Sequence, residues 1–64
     1  MTNWIEYWDM NRELLTIVGS YVPIKGEFVK IKLKNKFKIR KVIEVIHQID
    51  KTDIIKERFK VFLK

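Results

Sequence analysis

The 64-residue chain contains no cysteine, one proline (Pro23), two glycines (Gly19 and Gly26), one serine (Ser20) and one histidine (His47). Each scarcity closes off a class of chemistry. Without cysteine, no disulfide supplements a small core and no thiolate ligates a metal. Gly19 and Gly26 stand apart, so there is no glycine-rich phosphate loop. One serine and one histidine leave little for a nucleophile–base pair. Glu6, Asp9 and Glu13 recur at near-helical spacing, but no metal-binding histidine accompanies them. His47, near Asp50 in sequence, reads as a neutral, hydrogen-bonded residue at a strand end. Asp50-Lys51-Thr52-Asp53 has too few ligands for a calcium loop and reads as a polar turn. The expectation is a non-enzymatic protein with no cofactor and no metal.

Long hydrophobic runs are missing too. None approaches the roughly 18 residues of a membrane span, and MTNWIEYWD lacks the basic start and apolar core of a secretion signal. A soluble cytoplasmic protein without membrane contact is expected. No linker, repeat or low-complexity stretch divides the chain, so residues 1–64 read as one domain. The apolar content of 47% is too high for disorder. A chain of this size buries only about 60% of its unfolded surface. Either the core packs unusually well or the protein self-associates, with a homodimer the simplest form.

What the chain does have is positive charge, unevenly placed. The net charge is +6. Residues 1–27 carry Arg12 and Lys25 against Glu6, Asp9, Glu13 and Glu27, whereas residues 28–64 carry twelve basic groups against four acidic ones. Such asymmetry points to an anionic partner, a nucleic acid or an acidic protein surface. Eleven lysines, three arginines and ten isoleucines are also what an AT-rich genome writes at tolerant positions. Composition drift accounts for the total more readily than for the pattern that follows.

From Phe28 to Arg40, Lys30, Lys32, Lys34, Lys36, Lys38 and Arg40 occupy even positions, and Val29, Ile31, Leu33, Phe37 and Ile39 odd ones. Strand side chains alternate faces, so this reads as a ribbon with one apolar and one cationic surface. A hairpin with a three-residue loop, Lys34-Asn35-Lys36, sets Leu33 opposite Phe37 and Ile31 opposite Ile39. Lys32 then opposes Lys38, and Lys30 opposes Arg40. A two-residue loop at Asn35-Lys36 splits both faces, and the parity of the pattern argues against it.

The second strand runs on to His47. Its alternation stumbles at Lys41-Val42, where two apolar residues become adjacent, and a bulge or bend is expected there. Phe59, Val61 and Leu63 alternate with Arg58, Lys60 and Phe62 in a closing strand; a helix capped by Asp53, with Ile55, Phe59, Phe62 and Leu63 on one face, is the alternative. At the N-terminus, Trp4, Ile5, Tyr7 and Trp8 suit a strand turning through Met10-Asn11-Arg12 into Leu14–Val18. A helix capped by Thr2 or Asn3 and ending at Gly19 competes with it. Pro23-Ile24-Lys25-Gly26 leads into the hairpin, with Gly26 free to take positive φ.

The pattern Val22-Pro23-x-x-Gly26-Glu27-x-Val29, followed by Phe37-x-Ile39, Val42 and His47, resembles small uncharacterised β-rich proteins of phages and mobile elements. The match covers roughly residues 20–63 and consists of turn and core positions. It implies an all-β, SH3-like, partly open barrel of about five strands. The alternative fold is α+β, an N-terminal helix packed on a sheet. The resemblance implies fold, and fold does not supply function.

The basic ribbon carries the functional expectation: polyanion binding through Lys30, Lys32, Lys38 and Arg40, with Lys34, Lys36, Arg58 and Lys60 at the margins. Lysine excess suits phosphate contact, whereas arginine forks commonly read guanine edges, so little sequence preference is expected. Trp4, Tyr7, Trp8 or Phe62 would stack on bases if they share that surface. The rival is a protein-interaction module, such as a phage-type inhibitor capping an acidic host protein, or an edge strand that recruits another. Sequestration of an anionic nucleotide at an oligomer interface has only the charge behind it. A bland alternative is that splayed lysines simply deter sheet aggregation.

Overall fold

The computed structural model describes residues 3–49 and 57–64. Among them lie five strands and no helix: β1 (Asn3–Asp9), β2 (Arg12–Gly19), β3 (Phe28–Leu33), β4 (Lys36–Gln48) and β5 (Glu57–Leu63). The strand order is β2-β1-β5-β4-β3, with every neighbouring pair antiparallel except β1 and β5. The sheet curls into a half-barrel, as expected of an all-β, partly open barrel, and among the described residues β2 and β3 are its two edge strands. The helical alternatives at both ends give way to β1, β2 and β5. Asp50-Lys51-Thr52-Asp53 and the cap position Thr2 lie outside the described residues.

Alternation explains the strands. Ile5 and Tyr7 of β1, Ile31 of β3, Val42 of β4, and Val61 and Leu63 of β5 form the buried core. All lie on the concave face, and Leu14, Leu15, Val22, Val29 and Val45 pack around them. Two bulges make this possible. In β4 the register with β5 shifts between Val42 and Glu44, so Ile43 is an extra residue beside the expected stumble, and Val42 and Val45 both turn inward. In β2 the register shifts opposite Tyr7/Trp8, with Leu14 the extra residue. Without that shift the consecutive leucines Leu14 and Leu15 would point to opposite faces.

The hairpin forms, but its loop differs from expectation. The turn is Lys34-Asn35, two residues, and the pairs are Phe28 with Lys41, Val29 with Arg40, Lys30 with Ile39, Ile31 with Lys38, Lys32 with Phe37, and Leu33 with Lys36. Lys34 and Asn35 have φ of 51° and 66°, the pattern of a type I′ turn, whose twist matches that of the flanking strands. The expected three-residue register would oppose Lys32 to Lys38 and Lys30 to Arg40, at about 0.2–1 kcal/mol for each like-charge pair. In the observed register every cross-strand pair sets one cation against one apolar side chain. The consequence is that the cations divide between two surfaces instead of sharing one.

The approach to the hairpin is tied down locally. Gly26, at φ 97°, donates its N–H to the Val42 carbonyl at 2.8 Å, and Val42 donates back to the Glu27 carbonyl at 2.8 Å. A Cβ at Gly26 would meet nothing within 4 Å, so its requirement is conformational and not one of space.

Lysine in the left-handed region carries a steric penalty of about 1–2 kcal/mol, and Asn-Gly is the preferred pair for this turn. Replacing both residues, Lys34→Asn with Asn35→Gly, is expected to raise stability by about 1 kcal/mol in urea unfolding. A loss of stability would show that the register is not the two-residue one.

Candidate anion-binding arm and cleft

Among the described strands, Lys36–Arg40 of β4 ladder with β3 alone; the Lys41 carbonyl accepts from Lys64 N–H at 2.9 Å, and the ladder to β5 begins at Val42 with Leu63. Residues 28–41 therefore form a two-stranded arm that leaves the sheet at the β4 bulge. They include seven cations (Lys30, Lys32, Lys34, Lys36, Lys38, Arg40, Lys41) and no carboxylate. At about 3.4 Å per residue, the arm is roughly 20 Å long.

The register assigns each cation a place. Lys30 and Lys32 lie on the convex surface, with their Nζ atoms 4.7 and 5.4 Å from the centre of the Phe37 ring, within cation–π range. Lys34 is in the turn. Lys36, Lys38 and Arg40 line the concave side with Ile31 and Leu33. Phe28, Phe37 and Ile39 are 68%, 59% and 69% exposed, so the convex side of the arm is apolar and cationic together.

Across from the arm stands the β1–β2 hairpin. Between them is a cleft of about 530 Å³ lined by Asp9, Arg12, Glu13, Leu14, Ile31, Leu33, Lys34, Lys36, Lys38 and Arg40. Five cations thus face two carboxylates over an apolar floor, in a volume typical of small-ligand sites. Arg12 belongs to this group although sequence reading placed it only in a turn. Its closeness to the arm depends on how the sheet curls, which no local pattern encodes.

Arg40 differs from the lysines. Its Nη2 lies 3.1 Å from Asp9 Oδ1, and its Nε donates to the Lys64 carbonyl at 2.8 Å. The side chains of Arg40 and Asp9 are 20% and 32% exposed, so the pair is worth at most about 1 kcal/mol. Its geometry nonetheless ties the arm to β1 and to the chain end. Among the described residues no carboxylate lies within ion-pair distance of Lys30, Lys32, Lys34, Lys36, Lys38 or Lys41.

Arg58 and Lys60 sit apart, on the convex face of β5. Arg58 lies over the Trp4 ring at 5.1 Å and Lys60 over the Trp8 ring at 5.3 Å. Between the indoles, Glu6 accepts a hydrogen bond from each indole N–H at 3.0 Å. Phe62 tilts against Trp8 at 6.3 Å. Trp4 and Trp8 are half-buried in this lattice, and cations cover their faces, whereas Tyr7 is in the core. None of these aromatic rings lines the lysine cleft. His47 stacks on Phe59 at 4.3 Å, with Nε2 3.7 Å from Glu57.

Among the described residues no three His, Cys, Asp or Glu side chains converge as metal ligands, and no helix is long and apolar enough to cross a membrane. Comparison with protein-family models, curated proteins and solved structures gives no match to this chain. The site is therefore read from its own geometry.

Burial raises the pKa of Glu6, but the Trp4 and Trp8 donors, with Lys60 and Arg58 nearby, outweigh it and leave the carboxyl lowered. Glu27 is lowered as well, by the Tyr21 hydroxyl at 2.6 Å and the Ile24 N–H at 2.7 Å. A lowered carboxyl contributes stability that is present above its unfolded pKa and lost as pH falls through the folded one. The wild type should therefore lose stability below about pH 4.5. Glu6→Gln should be less stable at neutral pH and fall less steeply in acid, retaining the Glu27 share. Urea unfolding followed by tryptophan fluorescence on both sides of that pH checks this; parallel curves would remove Glu6 from the acid response.

Proposed function

We propose that the arm binds the phosphate backbone of nucleic acid, as a non-enzymatic polyanion-binding module. The observation that carries this reading is the arm itself: six lysines on 14 residues, without a carboxylate within ion-pair distance among the described residues, on both surfaces of a two-stranded ribbon. A ribbon with cations on both surfaces suits a partner with phosphates on either side. The major groove of duplex DNA, about 12 Å wide, admits a two-stranded ribbon. Lysine is a hydrated point charge, so the contacts favour phosphate over base edges. Arg40, Arg58 and Lys60, held by Asp9, Trp4 and Trp8, support the arm and the sheet and stand outside the binding set.

A second reading has its own support. Phe28, Phe37, Ile39 and Ile43 are exposed beside Lys30, Lys32 and Lys41, a mixture that also fits an acidic protein surface with apolar anchors, as an inhibitor of a host protein would use.

Four lysines, Lys30 and Lys32 on one surface and Lys36 and Lys38 on the other, give an expected slope of log K against log salt of about −3.6 on duplex DNA. Fluorescence anisotropy with a labelled duplex measures it. Replacing either pair with glutamine should reduce the slope by about 1.8. A slope near zero, or one indifferent to both pairs, overturns the reading, and binding to an acidic protein without salt-sensitive DNA binding favours the second.

A further inference from the structure

The two edge strands of the half-barrel are guarded differently. β3 carries Lys30 and Lys32 among its six residues, and charged edges deter strand addition. β2 carries charge only at its start, Arg12 and Glu13. From Leu14 to Gly19 it reads Leu-Leu-Thr-Ile-Val-Gly, without charge or proline, and among the described strands it pairs with β1 alone. Ile17 and Val18 are 41% and 53% exposed on its two faces. An uncharged, β-branched edge with unpaired backbone groups is a template for another strand.

We infer that the chain dimerises by antiparallel pairing of β2 with β2 of a second copy. The occupant is the same chain because Leu14–Gly19 sets no like charges against each other, and with Thr16 central Arg12 and Glu13 fall opposite Ser20 and Gly19, whereas two β3 edges would bring lysines together. A core of six buried residues among the described ones also gains from further burial. A two-fold axis through the paired edges sets residues of equal parity opposite each other. Centred on Thr16, exposed on the convex face, it places each Leu15 against the other copy's Ile17. Ten strands then form one continuous sheet, with β3 at both ends.

The absence of cysteine makes the test direct. Thr16→Cys should cross-link to a covalent dimer under mild oxidation, and Lys32→Cys on the β3 edge should not. In analytical ultracentrifugation the wild type should sediment at twice the monomer mass, and Thr16→Lys at the monomer mass with an unchanged circular dichroism spectrum. Val18→Lys, at a second exposed position on the same edge, serves if Thr16→Lys does not fold. A monomeric wild type, a dimer that survives a folded lysine variant, or preferential cross-linking at Lys32→Cys overturns the inference.

Discussion

At Ile43 one extra residue enters β4 between Val42 and Glu44, and the architecture follows from how that residue is accommodated. The first half of β4 answers to β3 and the second to β5. An unbroken strand would send Val42 and Val45 to opposite faces, and one of them would leave a core that has few members. The bulge lets both face inward while adding bend and twist. That bend carries the arm off the sheet and over the concave side, so the core, the arm and the cleft share one local cause. The extra residue at Leu14 does the same for β2.

Charge is distributed in two ways. On the convex face of β1 and β5, cations and indoles interlock around Glu6, and each group has a partner. On the arm, the lysines have apolar cross-strand neighbours and, among the described residues, no carboxylate within ion-pair distance. The hairpin register keeps this tolerable: with each cation opposite an apolar residue, no two like charges are directly opposed, and same-face cations are neighbours two residues apart along one strand, about 7 Å at the backbone. A marginal domain carries such charge at less cost than in a register that opposed them directly. What remains is a concentration of positive potential at one end of the strand order, available to an anion.

Much of this was legible in the residues. The alternation from Phe28 to Arg40 located the hairpin, and adjacent Val42 and Ile43 located the bulge. Aromatic and β-branched content favoured strands at both ends. Misjudged was the relative phase of the two hairpin strands. Parity specifies register firmly where a face is buried, but in the arm only Ile31 is buried, with Val29 packed partly against the core. Phe37 and Ile39, which suggested an inward face, point outward, because the phase of early β4 is set by Val42 and by the Lys34-Asn35 turn. The cleft was not legible either. Arg12 and Glu13 are distant in sequence from Lys36, and only the curl of the sheet, with the parallel pairing of β1 and β5, brings their strands to one opening.

The strand order also separates the two surfaces that reach outward. β3 closes one end and β2 the other, so the guarded cationic edge and the mostly uncharged edge do not compete for a partner. Lysine on β3 suits both parts of the proposed division: charged edges discourage strand addition, and the same charge is what the proposed anion would meet. Were β2 equally basic, self-pairing would oppose cations across a two-fold axis and the small core would stay exposed at its margin. With LLTIVG along most of that edge, the proposed joining of two copies would extend the sheet there and leave an arm at each far end. On the two proposals together, burial and binding would draw on opposite edges of a single sheet.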